Sequence, residues 1–138
     1  MRRSQAAVAG LQDCLVLEHE AIWVYAYLGA RISGADRPAH RAFGNHRHSR
    51  DVLIAMLRAS RSTQPAPRAD YDVRTVNNLE QASAVARSLE AKTAAVYLSL
   101  VGSSESEDRE FAINTLRKAA LAMLVWGAKP SAFPGLPS

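Results

Sequence analysis

Cysteine is all but absent. Cys14 is the only one in the chain, so no internal disulfide can form and nothing in the composition asks for an oxidising compartment. A lone cysteine inside a helical run reads as a small buried hydrophobe rather than a nucleophile. Helix breakers are scarce too: the chain has 7 Gly and 6 Pro, and the prolines fall between or after the apolar runs, leaving long segments that suit helices better than strands. No apolar run approaches the roughly 20 residues needed to span a bilayer. Two N-terminal arginines precede an apolar stretch, but Gln12 and Asp13 break it before it becomes a signal-peptide core. These absences exclude a disulfide scaffold and a membrane span, and they predict a cytoplasmic protein.

Strong charge of one sign is also missing. Lys and Arg number 17 against 13 Asp and Glu, a formal charge of +4. A nucleic-acid binder gathers positive charge on one face, and only "HRAFGNHRHSRD", residues 40–51, could do so. No recognised nucleic-acid motif surrounds it, and few aromatics stand by for stacking. The stretch reads as a solvated helix face, and nucleic acid is not an expected partner.

What is present is a chain of 138 residues with 48% hydrophobic content, enough for one core and too little for two domains. The periodicity predicts a single all-α domain, residues 1–138, with helices at about 4–33, 38–60, 73–101 and 105–126 and an irregular tail over 127–138. The first carries a seam at Val8, Leu11, Leu15, Glu18, Ile22, Tyr25 and Ile32, and Ser33 with Gly34 stops it. Asp36 as cap and Pro38 in the first turn predict the second start, with Phe43, His46, Arg50, Leu53 and Leu57 on one stripe. The third helix shows Val76, Leu79, Ala86, Glu90 and Tyr97 on a face. "SESE", residues 104–107, matches a capping box ahead of a fourth helix with Ile113, Leu116, Ala120 and Met123 inward.

The connections constrain topology. Short links between helices one and two, and between three and four, predict two antiparallel hairpins. The stretch 60–72, rich in proline and small polar residues, drawn out at about 3.1 Å per residue spans roughly 40 Å. A second helix of some two dozen residues is about 36 Å long. The linker can therefore travel the whole bundle and set helix three parallel to helix two, the single long crossover of ferritin-like folds.

"LVLEHEAIWVYAYLGAR", residues 15–31, places carboxylates in an otherwise apolar run. Glu18 lies on the seam and should face the core, while His19 and Glu20 point sideways and outward. Glu90 is also mid-helix. A di-iron plan needs one Glu from each of two helices and a Glu-x-x-His pair from each of the others. Here Phe43 stands three residues before His46, Asn45 three before His48, and the fourth helix has no histidine. Glu18, Glu90 and His46 are too few anionic ligands for two metals. Counting heights from the turns places Arg50 on helix two, and Arg117 on helix four, near the carboxylates. A guanidinium there would keep a buried carboxylate ionised in a bidentate pair. The expected site is a structural polar core of Glu18, Arg50, His46, Tyr25, Glu90 and Arg117, with Glu18 meeting Arg50 and His46 within reach of Tyr25.

"EHEAIWVYAYLGAR", "HRHSRDVL", the Pro-rich linker ending in Tyr71, "SLEAKTAAVYLSLV" and the terminal "FPGLP" together resemble an actinobacterial family of ferritin-like domains of unknown function, across nearly the whole chain. The resemblance implies a ferritin-like four-helix bundle, brings no established activity, and puts Glu18, His46, Arg50 and Glu90 at positions characteristic of that family. The missing Glu-x-x-His pairs argue against carrying over iron chemistry.

The functional expectation is a non-enzymatic interaction or ligand-binding module with no cofactor. It is expected to be a homodimer with an unidentified protein or small-molecule partner and no membrane partner. Trp23, Trp126 and Phe133 are candidates for an apolar contact surface. The alternative is a mononuclear metal-binding or redox protein using Glu18, Glu90 and His46.

Overall fold

The computed structural model describes residues 2–73 and 75–136. Four helices, α1 (Gln5–Arg31), α2 (Asp36–Ala59), α3 (Leu79–Ser103) and α4 (Ser106–Val125), make up the fold, and the described residues include no strand. Ser4 caps α1 by accepting from the Ala7 amide at 3.0 Å. The α1–α2 turn closes through Gly34 at φ +88°, a left-handed conformation that glycine adopts without strain. Next to that turn the two helices touch through small residues. A Cβ on Gly29 would lie 3.3 Å from that of Ala39.

Side-chain contacts fix the directions of the helices. Gly10 lies against Leu100 and Ser103, Cys14 faces the Val96 carbonyl, Tyr25 reaches Glu90, and Gly34 lies against Leu79. Ascending α1 therefore descends α3, so these helices are antiparallel and α3 runs parallel to α2. The linker must cross the length of the bundle, and it does so along α1. Gln12 donates to the Thr63 carbonyl at 2.9 Å, His19 Nε2 donates to that of Pro65 at 3.0 Å, and the Trp23 and Tyr71 rings stand 5.9 Å apart. Two antiparallel hairpins joined by this crossover form the four-helix bundle that the linker length predicts.

The boundaries differ in three places. α3 begins at Leu79, not near Val73, because Asn78 caps it: its side chain accepts from the Gln81 amide at 2.8 Å, and Gln81 Oε1 accepts from the Asn77 amide at 2.7 Å. Val73 and Val76 still pack on the core, as extended chain. Asp36 lies inside the first turn of α2 instead of capping it. No box forms at 104–107, since the Ser104 hydroxyl turns back to the Leu100 carbonyl and Glu105 makes no side-chain cap bond.

The inward face of α4 is also displaced. Ala112, Thr115 and Ala119 are buried, whereas Ile113, Leu116, Ala120 and Met123 lie on the flanks. Small residues face inward where α4 closes over buried polar groups. The tail folds back: Leu136 N–H donates to the Phe133 carbonyl at 3.2 Å across Pro134 and Gly135, and Gly135 has φ +89°. These are the features of a type II turn. A Cβ on Gly135 would lie 2.8 Å from the Ala94 carbonyl oxygen, so only glycine lets the tail sit this close to α3. The last proline of "FPGLP", Pro137, lies outside the described residues.

Candidate functional site

Midway along the bundle the apolar core is interrupted. One cluster, around Leu28, Ala39, Ala86 and Trp126, fills the end near the α1–α2 turn; another, around Leu11, Leu53, Leu57 and Leu100, fills the opposite end. Between them lie Glu18, His46 and Glu90, at 0%, 6% and 2% exposure. Each occupies a position on the buried stripe of its helix, so helical periodicity alone turns all three inward.

The imidazole stands between the two carboxylates. His46 Nδ1 donates to Glu18 Oε2 at 2.6 Å and Nε2 donates to Glu90 Oε2 at 3.0 Å. Tyr25 donates to Glu90 Oε2 at 2.5 Å, and Tyr97 donates to Glu18 Oε1 at 2.7 Å. The result is an unbroken chain, Tyr25–Glu90–His46–Glu18–Tyr97. Among the described residues no buried side-chain nitrogen or oxygen lacks a partner. Burial by itself lowers the His46 pKa, but hydrogen bonds to Glu18 and Glu90 and their negative charge outweigh it and push the pKa up to about 10. The group is an imidazolium at neutral pH, which is why both nitrogens can donate. Burial first, and then the adjacent carboxylates, raise both tyrosine pKa values well above normal, so both hydroxyls remain donors.

Four of the six expected residues come together: Glu18, His46, Tyr25 and Glu90. His46 does not bond Tyr25 directly; the two rings stack at 5.5 Å and share the same Glu90 oxygen. Arg50 and Arg117 are not in the layer. Arg50 donates to the adjacent Asp51 at 2.8–2.9 Å with its side chain 27% exposed, and Arg117 is exposed. The reason is angular. From His46, an advance of three residues rotates by about −60° and one of four by about +40°. The buried stripe continues through Ser49 and Leu53, which leaves Arg50 on the flank. The residue that meets Glu18 is His46, one turn before Arg50 and on the buried stripe. Cys14 behaves as the sequence predicts: it is fully buried, and burial raises its thiol pKa far above the usual range.

Tyr97 was placed on the inner face of α3 but not in the site, although a signal for it exists. Leu17-Glu18, Val24-Tyr25 and Leu28 on α1 recur at the same spacing as Leu89-Glu90, Val96-Tyr97 and Leu100 on α3. Because α1 and α3 are antiparallel, each tyrosine, two turns beyond its own glutamate, reaches the glutamate of the other helix. The symmetry fails at the base. α2 supplies His46, while α4 presents Thr115 and Ala119 across a cavity of about 30 Å³ that also touches Glu90 and Ser49. That volume holds a water molecule and little more.

As chemistry, the layer offers two carboxylates already bridged by a proton-bearing imidazole. Among the described residues no group of three or more His, Cys, Asp or Glu is arranged to hold a metal ion. The expected aromatic surface is only partly present. Trp126 is buried and stacks on Tyr25 at 6.0 Å, and Trp23 stacks on Tyr27 at 5.4 Å, whereas Phe133 is 70% exposed. None of the described helices is long and apolar enough to cross a membrane.

Comparison with known proteins agrees with the fold and gives no activity. No curated protein matches the chain. A crystal structure described as that of a conserved hypothetical protein, rv2844, from Mycobacterium tuberculosis superposes with a TM-score of 0.82 at 33% identity, covering 94% of this chain and 97% of that one. The family model described as a domain of unknown function, DUF4439, matches residues 10–138, and the chain belongs to that family.

Proposed function

We propose that the protein is a non-enzymatic, ferritin-like binding module whose core carries an ion-pair layer in the position where ferritin-like proteins carry metal. The observation that supports this is the seat of His46: its ring lies between Glu18 and Glu90, both nitrogens donate, and the pKa of about 10 keeps it charged. A metal between these carboxylates would have to displace or deprotonate that cation. The residues do not fit a di-iron group, since α4 presents Thr115 and Ala119 where a second imidazole and carboxylate would be needed.

With the buried polar groups of the core hydrogen-bonded to one another, binding belongs to the surface. The exposed Leu121, Leu124, Val125 and Phe133 on α4 and the tail would serve the expected homodimer. Other partners are sought among proteins or small molecules.

The competing reading, a mononuclear metal or redox centre on Glu18, Glu90 and His46, draws support from the convergence of the same three side chains. Two measurements on protein purified without chelators or an affinity tag separate the readings. Elemental analysis should find far less than one equivalent of iron, manganese or zinc, and nitrogen NMR of His46 at pH 7 should show both ring nitrogens protonated. About one equivalent of metal in the wild type that vanishes in Glu18→Ala, with one imidazole nitrogen bare of its proton, would overturn the proposal.

A further inference from the structure

Outside the α1–α2 hairpin, close to its turn, lies an open groove of about 780 Å³. Its origin is local. Gly29 and Ala39 let the two helices approach closely, and Ala26, Gly29 and Ala30 leave a floor with almost no side-chain bulk. Tyr25, buried and with its hydroxyl committed to Glu90, lies beneath the floor, and Phe43 forms one wall. The rim is basic. Arg37, His40 and Arg41 project from successive turns of α2, with Asp36 the only acidic lining residue. Among the described residues neither Arg37 nor Arg41 is engaged in an ion pair or a side-chain hydrogen bond.

Building on the binding-module reading above, we infer that this groove is a site for a small organic anion: a flat apolar or aromatic body carrying a carboxylate, sulfonate or phosphate. The volume lies in the 300–1,000 Å³ range usual for small-ligand sites. The floor supplies apolar contact and no polar atoms that a ligand would have to satisfy. Two free guanidiniums on one rim supply the planar, bidentate recognition that oxyanions favour. A neutral apolar ligand would leave those charges unused, and a bare inorganic anion would leave the floor unused. The chemistry of floor and rim together selects a molecule with both parts.

The full-length chain is titrated with two fluorescent probes of similar shape, the anionic 8-anilinonaphthalene-1-sulfonate and the neutral N-phenyl-1-naphthylamine. The sulfonate probe should bind at one site per chain. In an Arg37→Ala/Arg41→Ala variant it should weaken by about tenfold or more, with little change for the neutral probe. Ala26→Leu, which fills the floor at an exposed helical position, should weaken both probes. Absence of binding, or sulfonate binding indifferent to both variants, would overturn the assignment, and circular dichroism checks that the variants fold. Metal content is measured on the same preparations. A metal-loaded protein would defeat the reading of the core whatever the probes do, and a failed titration on metal-free protein would defeat the groove alone.

Discussion

His46 is the residue on which the layer turns. Its folded pKa of about 10 lies above the ordinary 6.5, so the folded chain holds a proton that the unfolded chain releases at neutral to alkaline pH. The stabilisation from this group is complete below about pH 6.5 and is lost as the pH rises through about 10. Between those limits unfolding releases up to one proton, and stability should fall by at most about 1.4 kcal/mol per pH unit. Urea midpoints at pH 6.5, 7.5 and 8.5 should decline in the wild type, and the decline from this source should vanish in His46→Gln. A flat wild-type profile would mean that His46 is neutral in the fold. Arg50 shows the limit of residue-level reading: the need for a cation beside Glu18 was legible, but an imidazolium on the adjacent turn meets it. The rotation of α2, which buries the stripe through His46 and Ser49 and leaves Arg50 on the flank, decides between the two.

Elements were legible where local chemistry marks them. α1 carries a clear seam and ends at a glycine turn, and both features are visible in the chain. The start of α3 is less obvious, because Val73 and Val76 continue an apolar pattern into extended chain that the core buries anyway. The determining signal is Asn78 with Gln81, whose side chains serve two otherwise unpaired amides. Asn78→Ala should cost about 1 kcal/mol, read as a lower denaturation midpoint with unchanged helix content away from that end. An effect near zero would mean that the cap plays no part in placing the start of α3. α4 is ambiguous for a different reason: apolar residues surround it, so two stripes one residue apart fit equally well. The tertiary packing turns the stripe of small side chains inward, Ala112 against the cluster around Leu11 and Leu100, and Thr115 and Ala119 against the water-sized cavity beside Glu90.

Across the whole molecule, the Glu–His–Glu layer separates two apolar clusters and ties α1, α2 and α3 at one height. Sliding any of these helices by one turn would break charged hydrogen bonds in a dry interior. Such layers often fix register more than they add stability. Removing one carboxylate by Glu90→Leu should destabilise by about 2–5 kcal/mol, since the imidazolium keeps Glu18 but its Nε2–H and the Tyr25 hydroxyl lose their acceptor. Replacing the whole chain with apolar side chains, as Glu18→Met, His46→Leu, Glu90→Met, Tyr25→Phe and Tyr97→Phe together, should recover most of that loss. Chemical denaturation measures both, and NMR line widths report whether a single packing survives. A quintuple variant less stable than Glu90→Leu would show that the layer contributes stability of its own.

The chain by itself determined the helical class, the two tight turns, the inward direction of Glu18, His46 and Glu90, and a linker able to cross the bundle. These follow from periodicity, from glycine at the first turn and from length, all of which act over a few residues. Tertiary structure decided which groups meet. That Tyr25 serves Glu90 while Tyr97 serves Glu18 depends on α1 and α3 being antiparallel. That His46 rather than Arg50 bridges the carboxylates depends on the rotation of α2 about its axis. Direction and rotation are set by the packing of whole faces, and no local signal encodes them.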